Sequence, residues 1–268
     1  MNTMGIFVTG TDTGVGKTVV AAALVSLFRA ADIDAVPMKP VQTGCISAPG
    51  GWVVVDLEFC LKMANFEPSL AERKLMAPYC FPAVCSPHLA AAQAGEKISI
   101  SRIVNDFSVL NAHHDVVIVE GAGGVLVPIN GEETMLDLMV RLSLPVLLVA
   151  RPWLGTINHT LLSLRELRRA GLGVLGVVFN SSRSSRPIQT LPLPGVGQGG
   201  GKDPVLLRDE IVHDNRLTVE RFSHVPVLGN LPFIEEIEAK LYKDFLIACS
   251  PHLPSAKDLL ERISDSWL

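Results

Sequence analysis

No C-x-x-C pair occurs in this chain of 268 residues, and its five cysteines, Cys45, Cys60, Cys80, Cys85 and Cys249, are odd in number. That excludes a disulfide framework and predicts reduced thiols, most of them buried, in a reducing compartment. No apolar run approaches the ~18 residues needed to span a bilayer. The opening MNTMGIFVTG lacks the basic segment that begins a secretory leader. Basic excess is missing too: 23 Lys and Arg stand against 27 Asp and Glu, a net charge of −4, which argues against nucleic acid as the main partner. There is no internal repeat. These absences leave a cytoplasmic α/β protein with a core large enough to need neither disulfide nor metal for stability.

Short apolar runs at 6–9, 35–39, 116–120, 146–150, 174–180 and 225–231 have the character of strands buried on both faces. Helical patterns lie between them at 17–31, 87–94, 100–112, 134–142 and 156–170. Strand alternating with helix predicts a doubly wound, mostly parallel sheet flanked by helices, with ligands beyond the carboxyl ends of the strands. The segment 181–204 (SSRSSRPIQTLPLPGVGQGGGKDP) interrupts the pattern. Its Ser, Pro and Gly cannot bury enough apolar surface to offset ordering entropy, so a flexible surface insertion is expected, with a nucleotide-closing lid as the alternative. A further strand and helices are expected after it, so residues 1–268 are read as one domain.

The strongest motif is Gly10-Thr11-Asp12-Thr13-Gly14-Val15-Gly16-Lys17-Thr18, directly after a strand and before a helix. Its glycines let backbone N–H groups turn towards phosphate oxygens, and the helix N-terminus adds positive potential. Lys17 can reach the β- and γ-phosphates and the Thr18 hydroxyl can ligate Mg²⁺. Five residues, not four, separate Gly10 from Gly16-Lys17-Thr18, so this is a variant phosphate loop. A second motif, Lys39-Pro40-Val41-Gln42-Thr43-Gly44, ends the second strand and can bring Lys39 to the same γ-phosphate. A third, Glu120-Gly121-Ala122-Gly123-Gly124, ends a buried strand on a carboxylate; that placement is costly unless the group meets a cation.

Together GTDTGVGKT, KPVQTG, Ser86-Pro87-His88, VEGAGG and LGTINH, in this order from Gly10 to His159, resemble the dethiobiotin synthetase family. A weaker match runs through Asn180 to Gly229-Asn230-Leu231-Pro232. The resemblance implies a homodimeric ligase of biotin biosynthesis that closes a cyclic urea on 7,8-diaminononanoate with CO₂ (or bicarbonate), ATP and Mg²⁺. Lys17 and Lys39 would be the catalytic cations, and Thr18, Asp56 and Glu120 the Mg²⁺ ligands. ATP would meet Thr13, Gly14, Val15, Gly16, Lys17, Thr18 and Val19, with Glu120, Gly121, Ala122 and Gly123 near its phosphates. Asn180, Pro232 and Phe233 would hold the adenine. Thr43 would contact the diamine or carbamate, while Gly155, Thr156, Ile157 and Asn158, opening a helix of the neighbouring subunit, would receive its far carboxylate. His88 is read as structural. Some family members carry an acid at the position of Gly14, so a contact from that side chain is missing here. Glu58 competes with Asp56, whose surroundings are more apolar than the family pattern implies. The alternatives are a nucleotide switch of the partition-ATPase type, a cobyrinate amidoligase relative and a degenerate ligand sensor. The first normally carries an extra lysine early in the loop, where Thr11 and Asp12 stand here; the second needs a glutamine-hydrolysing domain for which the chain has no room; the third sits badly with two intact lysines.

Overall fold

The computed structural model describes residues 4–49, 51–181 and 204–265, with side chains from 209 onward in the last stretch. The flexible-insertion expectation falls on residues 182–203, which lie outside the described residues.

The chain opens with β1 (Gly5–Gly10), α1 (Lys17–Ala30) and β2 (Ala35–Met38). A short excursion follows: β3 (Val41–Thr43), the hairpin β4 (Ile46–Ala48) and β5 (Gly51–Val53), α2 (Val55–Met63), α3 (Leu70–Met76) and β6 (Tyr79–Phe81). Then come α4 (Pro87–Gln93), α5 (Ile100–His113), β7 (Val116–Glu120), α6 (Met135–Leu142), β8 (Val146–Ala150), α7 (Thr156–Arg169) and β9 (Val174–Asn180). The last elements are α8 (Pro204–Ser223), β10 (Val227–Leu231), α9 (Tyr242–Cys249) and α10 (Ala256–Asp265). Six strands form one parallel sheet in the order β10-β9-β8-β1-β7-β2. From β1 the chain runs out to β2, returns to β7, then crosses to β8 on the other side, so its direction of winding reverses beside β1. That reversal opens a crevice at the carboxyl ends of the strands.

Burial explains why these segments are strands. Val116, Val117, Ile118 and Val119 are all fully buried, as helices cover both faces. One face packs on α1, through Val20, Leu24 and Phe28, and on α9 and α10, through Phe245, Leu259 and Ile263. The other packs on α5 and α6, through Ile103, Phe107, Leu138 and Met139. Burying a side chain such as Phe28 contributes roughly 1.5–3 kcal/mol, and the alanine-rich face of α1 lets it lie close to the sheet. Within α1, the single Ser26 hydroxyl proton is shared between the Ala22 carbonyl, at 2.8 Å, and the Met63 carbonyl, at 2.7 Å, which ties α1 to α2.

The expected strands and helices occur within one or two residues of their anticipated ends; β2 stops at Met38, and β10 begins at Val227, after Pro226. The thiol expectation is corrected: Cys45 and Cys80 form a disulfide, and Cys60, Cys85 and Cys249 are free. Parallel pairing of β3 with β6 sets Gln42 opposite Cys80 and leaves the Cys45 and Cys80 Cα atoms 6.2 Å apart, a separation a disulfide spans. Among the described residues no helix is long and apolar enough to cross a membrane.

Candidate active site

Sheet register assembles the site. Met38 pairs with Val119 and Val8 with Glu120, so Lys39 and Glu120 leave adjacent strands side by side, level with the start of the phosphate loop. Lys39 Nζ lies 2.6 Å from Glu120 Oε1 and 2.6 Å from Asp56 Oδ2. The Thr18 hydroxyl, in the first turn of α1, donates to the same Glu120 oxygen at 2.8 Å. Lys17, in that turn too, donates to the Asp12 carbonyl at 2.9 Å. Glu58, the competitor of Asp56, is engaged instead by Arg73.

Lys39 and Glu120 are buried, with relative exposures of 5% and 3%. Burial opposes the charge on Lys39, but Glu120 and Asp56 outweigh it and hold its pKa above the ordinary lysine range. Burial pushes the Glu120 carboxyl up, against the downward pull of Lys39. Lys17 has no such carboxylate contact, and burial brings it down to about 8, with Glu120 acting in the opposite sense. The neighbouring Cys60 thiol is pushed well up by burial, which makes it unreactive packing.

At the other end of the loop Gly16 caps α1 with a φ of 94°. A Cβ there would collide with the Asn180 side chain, so glycine is required by both conformation and space. The Asn180 amide donates to the Val15 carbonyl at 3.0 Å, which fixes the end of β9 against the loop. Asn180, Pro232 and Phe233 line one cavity of about 280 Å³ together with Gly16 and Val19. The sequence reading missed Ile234, Glu236, Ile237 and Glu238, which line it as well. Their signal was proximity alone, since they follow Pro232-Phe233.

Thr43 is half-buried on β3, its carbonyl accepting from Gln42 Nε2 at 2.8 Å. After Glu120, Gly121 is buried, Ala122 and Gly123 are half-buried, and Gly123 has a φ of 68°. Thr13 and Gly14 are exposed on the loop. Gly155 caps α7 with a φ of 90°; Thr156 is buried and shares a 3.3 Å hydroxyl contact with Thr160, while Ile157 is half-buried and Asn158 exposed. Among the described residues no hydrogen bond or ion pair links Gly155–Asn158 to the Lys39 cluster. Arg151, which the sequence reading passed over, does reach the loop: it donates to the Thr13 carbonyl at 3.1 Å.

Asp56 and Glu120 therefore meet the ammonium of Lys39, and the Thr18 hydroxyl joins them through the shared Glu120 oxygen. This all-oxygen set suits a hard divalent cation. Among the described residues no three His, Cys, Asp or Glu side chains form a metal site by themselves.

A family model described as an AAA domain matches residues 4–240. The ATP-dependent dethiobiotin synthetase BioD of Anaeromyxobacter dehalogenans (strain 2CP-1) is 47% identical over 187 residues, covering 66% of this chain and 76% of the relative. The protein of the same name from Thermodesulfovibrio yellowstonii is 33% identical over 240 residues, covering 87% of this chain and 90% of the relative. Among solved structures, the MinC:MinD cell division protein complex of Aquifex aeolicus aligns with a TM-score of 0.50 at 14% identity, over 98% of this chain and 94% of that one. That likeness is one of fold alone, the P-loop NTPase fold. With the close sequence matches spanning most of both chains, this chain belongs to the family of ATP-dependent dethiobiotin synthetases.

Proposed function

We propose that this chain closes the ureido ring of dethiobiotin from 7,8-diaminononanoate, CO₂ and ATP, releasing ADP and phosphate. The observation that carries the reading is the cluster of Lys39, Glu120, Asp56 and Thr18 beside Lys17, at the mouth of a phosphate loop. One substrate amine takes up CO₂ as a carbamate, losing a proton. A carbamate oxygen then attacks the γ-phosphorus, and the bond to the ADP oxygen breaks, leaving a carbamic–phosphoric anhydride. The second amine attacks the carbamoyl carbon and expels phosphate, and its proton passes to solvent. No protein nucleophile is needed, because phosphoryl transfer is mainly positioning and charge neutralisation.

In this scheme Lys39 stays protonated and stabilises negative charge on the carbamate and γ-phosphoryl oxygens. Lys17 exchanges the Asp12 carbonyl for the β- and γ-phosphates. Thr18, Asp56 and Glu120 would hold Mg²⁺, which neutralises phosphate charge when bound. The cavity lined by Asn180, Pro232 and Phe233 has a size and a mainly apolar lining that suit a purine. Thr43 offers a hydroxyl to the carbamate.

Residues 1–268 are read as one catalytic domain, because a single sheet draws strands from Gly5 to Leu231. A homodimer is supported by the pair α7 and α8, which pack together and carry Leu162, Leu217 and Phe222 exposed, with Leu154 99% exposed at the entry to α7. The α7 N-terminus, with Gly155, Thr156, Ile157 and Asn158, would meet the substrate carboxylate across that interface through its free N–H groups.

The test is ADP release with diaminononanoate, with and without bicarbonate, and with chelator. Turnover requiring diamine, bicarbonate and Mg²⁺ together is expected. ATP hydrolysis indifferent to the diamine would overturn the reading.

A further inference from the structure

Arg151 has no part in the scheme above, although it stands against the phosphate loop. It follows β8 directly, and its Nη2 donates to the Thr13 carbonyl at 3.1 Å and lies 3.6 Å from Asp12 Oδ2. The other Asp12 oxygen, Oδ1, accepts from the Thr13 backbone N–H at 2.7 Å. The Arg151 guanidinium thus holds the loop at two successive residues, Thr13 through its carbonyl and Asp12 through its carboxylate.

Two features set this contact apart from an ordinary surface pair. Arg151 Nε is buried with no hydrogen-bond partner among the described residues. An arginine serving only solubility would turn that donor to water, since a buried unmade hydrogen bond is unfavourable. Asp12, moreover, puts a negative charge inside a loop whose N–H groups and Lys17 serve a polyanion. Unpaired, it would repel triphosphate at short range.

We infer that Arg151 is a positioning residue of the phosphate loop: by pairing Asp12 and holding the Thr13 carbonyl, it makes the loop receptive to a nucleoside triphosphate. The inference rests on the loop binding nucleotide and not on the ring-closing chemistry.

The test is the equilibrium Kd for Mg-ATP on the full chain without diamine, for the parent, Arg151→Gln, Arg151→Lys and the double variant Asp12→Asn/Arg151→Gln. Arg151→Gln should raise Kd about fivefold, the upper scale of an exposed charge pair. Arg151→Lys should stay within about twofold of the parent, because charge survives; it also shows that the position tolerates change. The double variant should bind more tightly than Arg151→Gln, because the unpaired charge is gone. A purely structural arginine gives no such rescue. Parental Kd in Arg151→Gln, or a double variant no better than the single one, overturns the inference. Since the diamine is absent, failure of ring closure in the separate ADP-release assay leaves these values unaffected, so the two readings fail independently.

Discussion

Lys39, directly after β2, and Glu120, the last residue of β7, sit side by side with Nζ and Oε1 2.6 Å apart. Because both are buried, the pair is worth much less for net stability than for what it poises. Its ammonium is held protonated by Glu120 and Asp56, with the Thr18 hydroxyl on the same Glu120 oxygen. Replacing Lys39 with Ala should lower turnover by ~10²-fold or more, the scale of losing an electrostatic stabiliser. The same change strands two carboxylates and should cost about 3–5 kcal/mol in urea denaturation. A Lys39→Ala chain with near-parental turnover would remove the lysine from the chemistry.

Gly16 and Asn180 make a second pair that can be dissected. Gly16→Ala forces a side chain into the left-handed region, about 1–2 kcal/mol by conformation alone, and drives it into Asn180. In an Asn180→Ala background the collision disappears and only the conformational part should remain. Denaturant midpoints of the four chains check this; equal costs in both backgrounds would mean the contact carries no strain.

Acid sensitivity is expected at α3. Ser69 and Glu72 form a reciprocal cap: Ser69 N–H donates to Glu72 Oε2 at 2.8 Å and Glu72 N–H to Ser69 Oγ at 3.2 Å. The hydrogen bonds from Ser69 hold the Glu72 carboxyl below its ordinary value of 4.5. A folded-state pKa lowered in this way stabilises above the unfolded value and stops doing so as pH falls through the folded one. Glu72→Ala should therefore lower stability at pH 7 by up to about 1 kcal/mol, the scale of one helix-capping interaction, and the difference from the parent should shrink steadily below pH 4.5. A difference that stays constant into acid would show that the carboxylate charge plays no part.

Subunit sharing has its own test. Lys39→Ala and a bulky substitution at Gly155, each inactive as a homodimer, should regain activity when mixed as heterodimers. One composite site then holds both an intact lysine and an intact helix start. Heterodimers that form but stay inactive would put both elements in one subunit's site.

The sheet and the phosphate loop were legible because continuous apolar runs and glycine spacing are local signals. Lys39 and Glu120 were legible because each ends such a run. The elements of the excursion were less so. β3 and β6 have three residues each, too few to show a period. α2 begins inside Val53-Val54-Val55, an apolar run with strand character. α3 announced itself through Ser69-x-x-Glu72, a capping signature that was available and unused. The Cys45–Cys80 bridge joins residues 35 apart and depends on β3 meeting β6, which only the tertiary structure decides. Arg151 carried no motif at all; its significance comes from standing beside Thr13, 138 residues away in sequence.

The Lys17 ammonium already rests on the Asp12 carbonyl, 2.9 Å away, and Asn180 already holds the Val15 carbonyl. The loop is therefore tied to its own surroundings at both ends. A loop tied in this way has little conformational entropy left to lose when a ligand binds it. Association should be correspondingly quick, with affinity differences among loop variants appearing chiefly in how long the nucleotide stays.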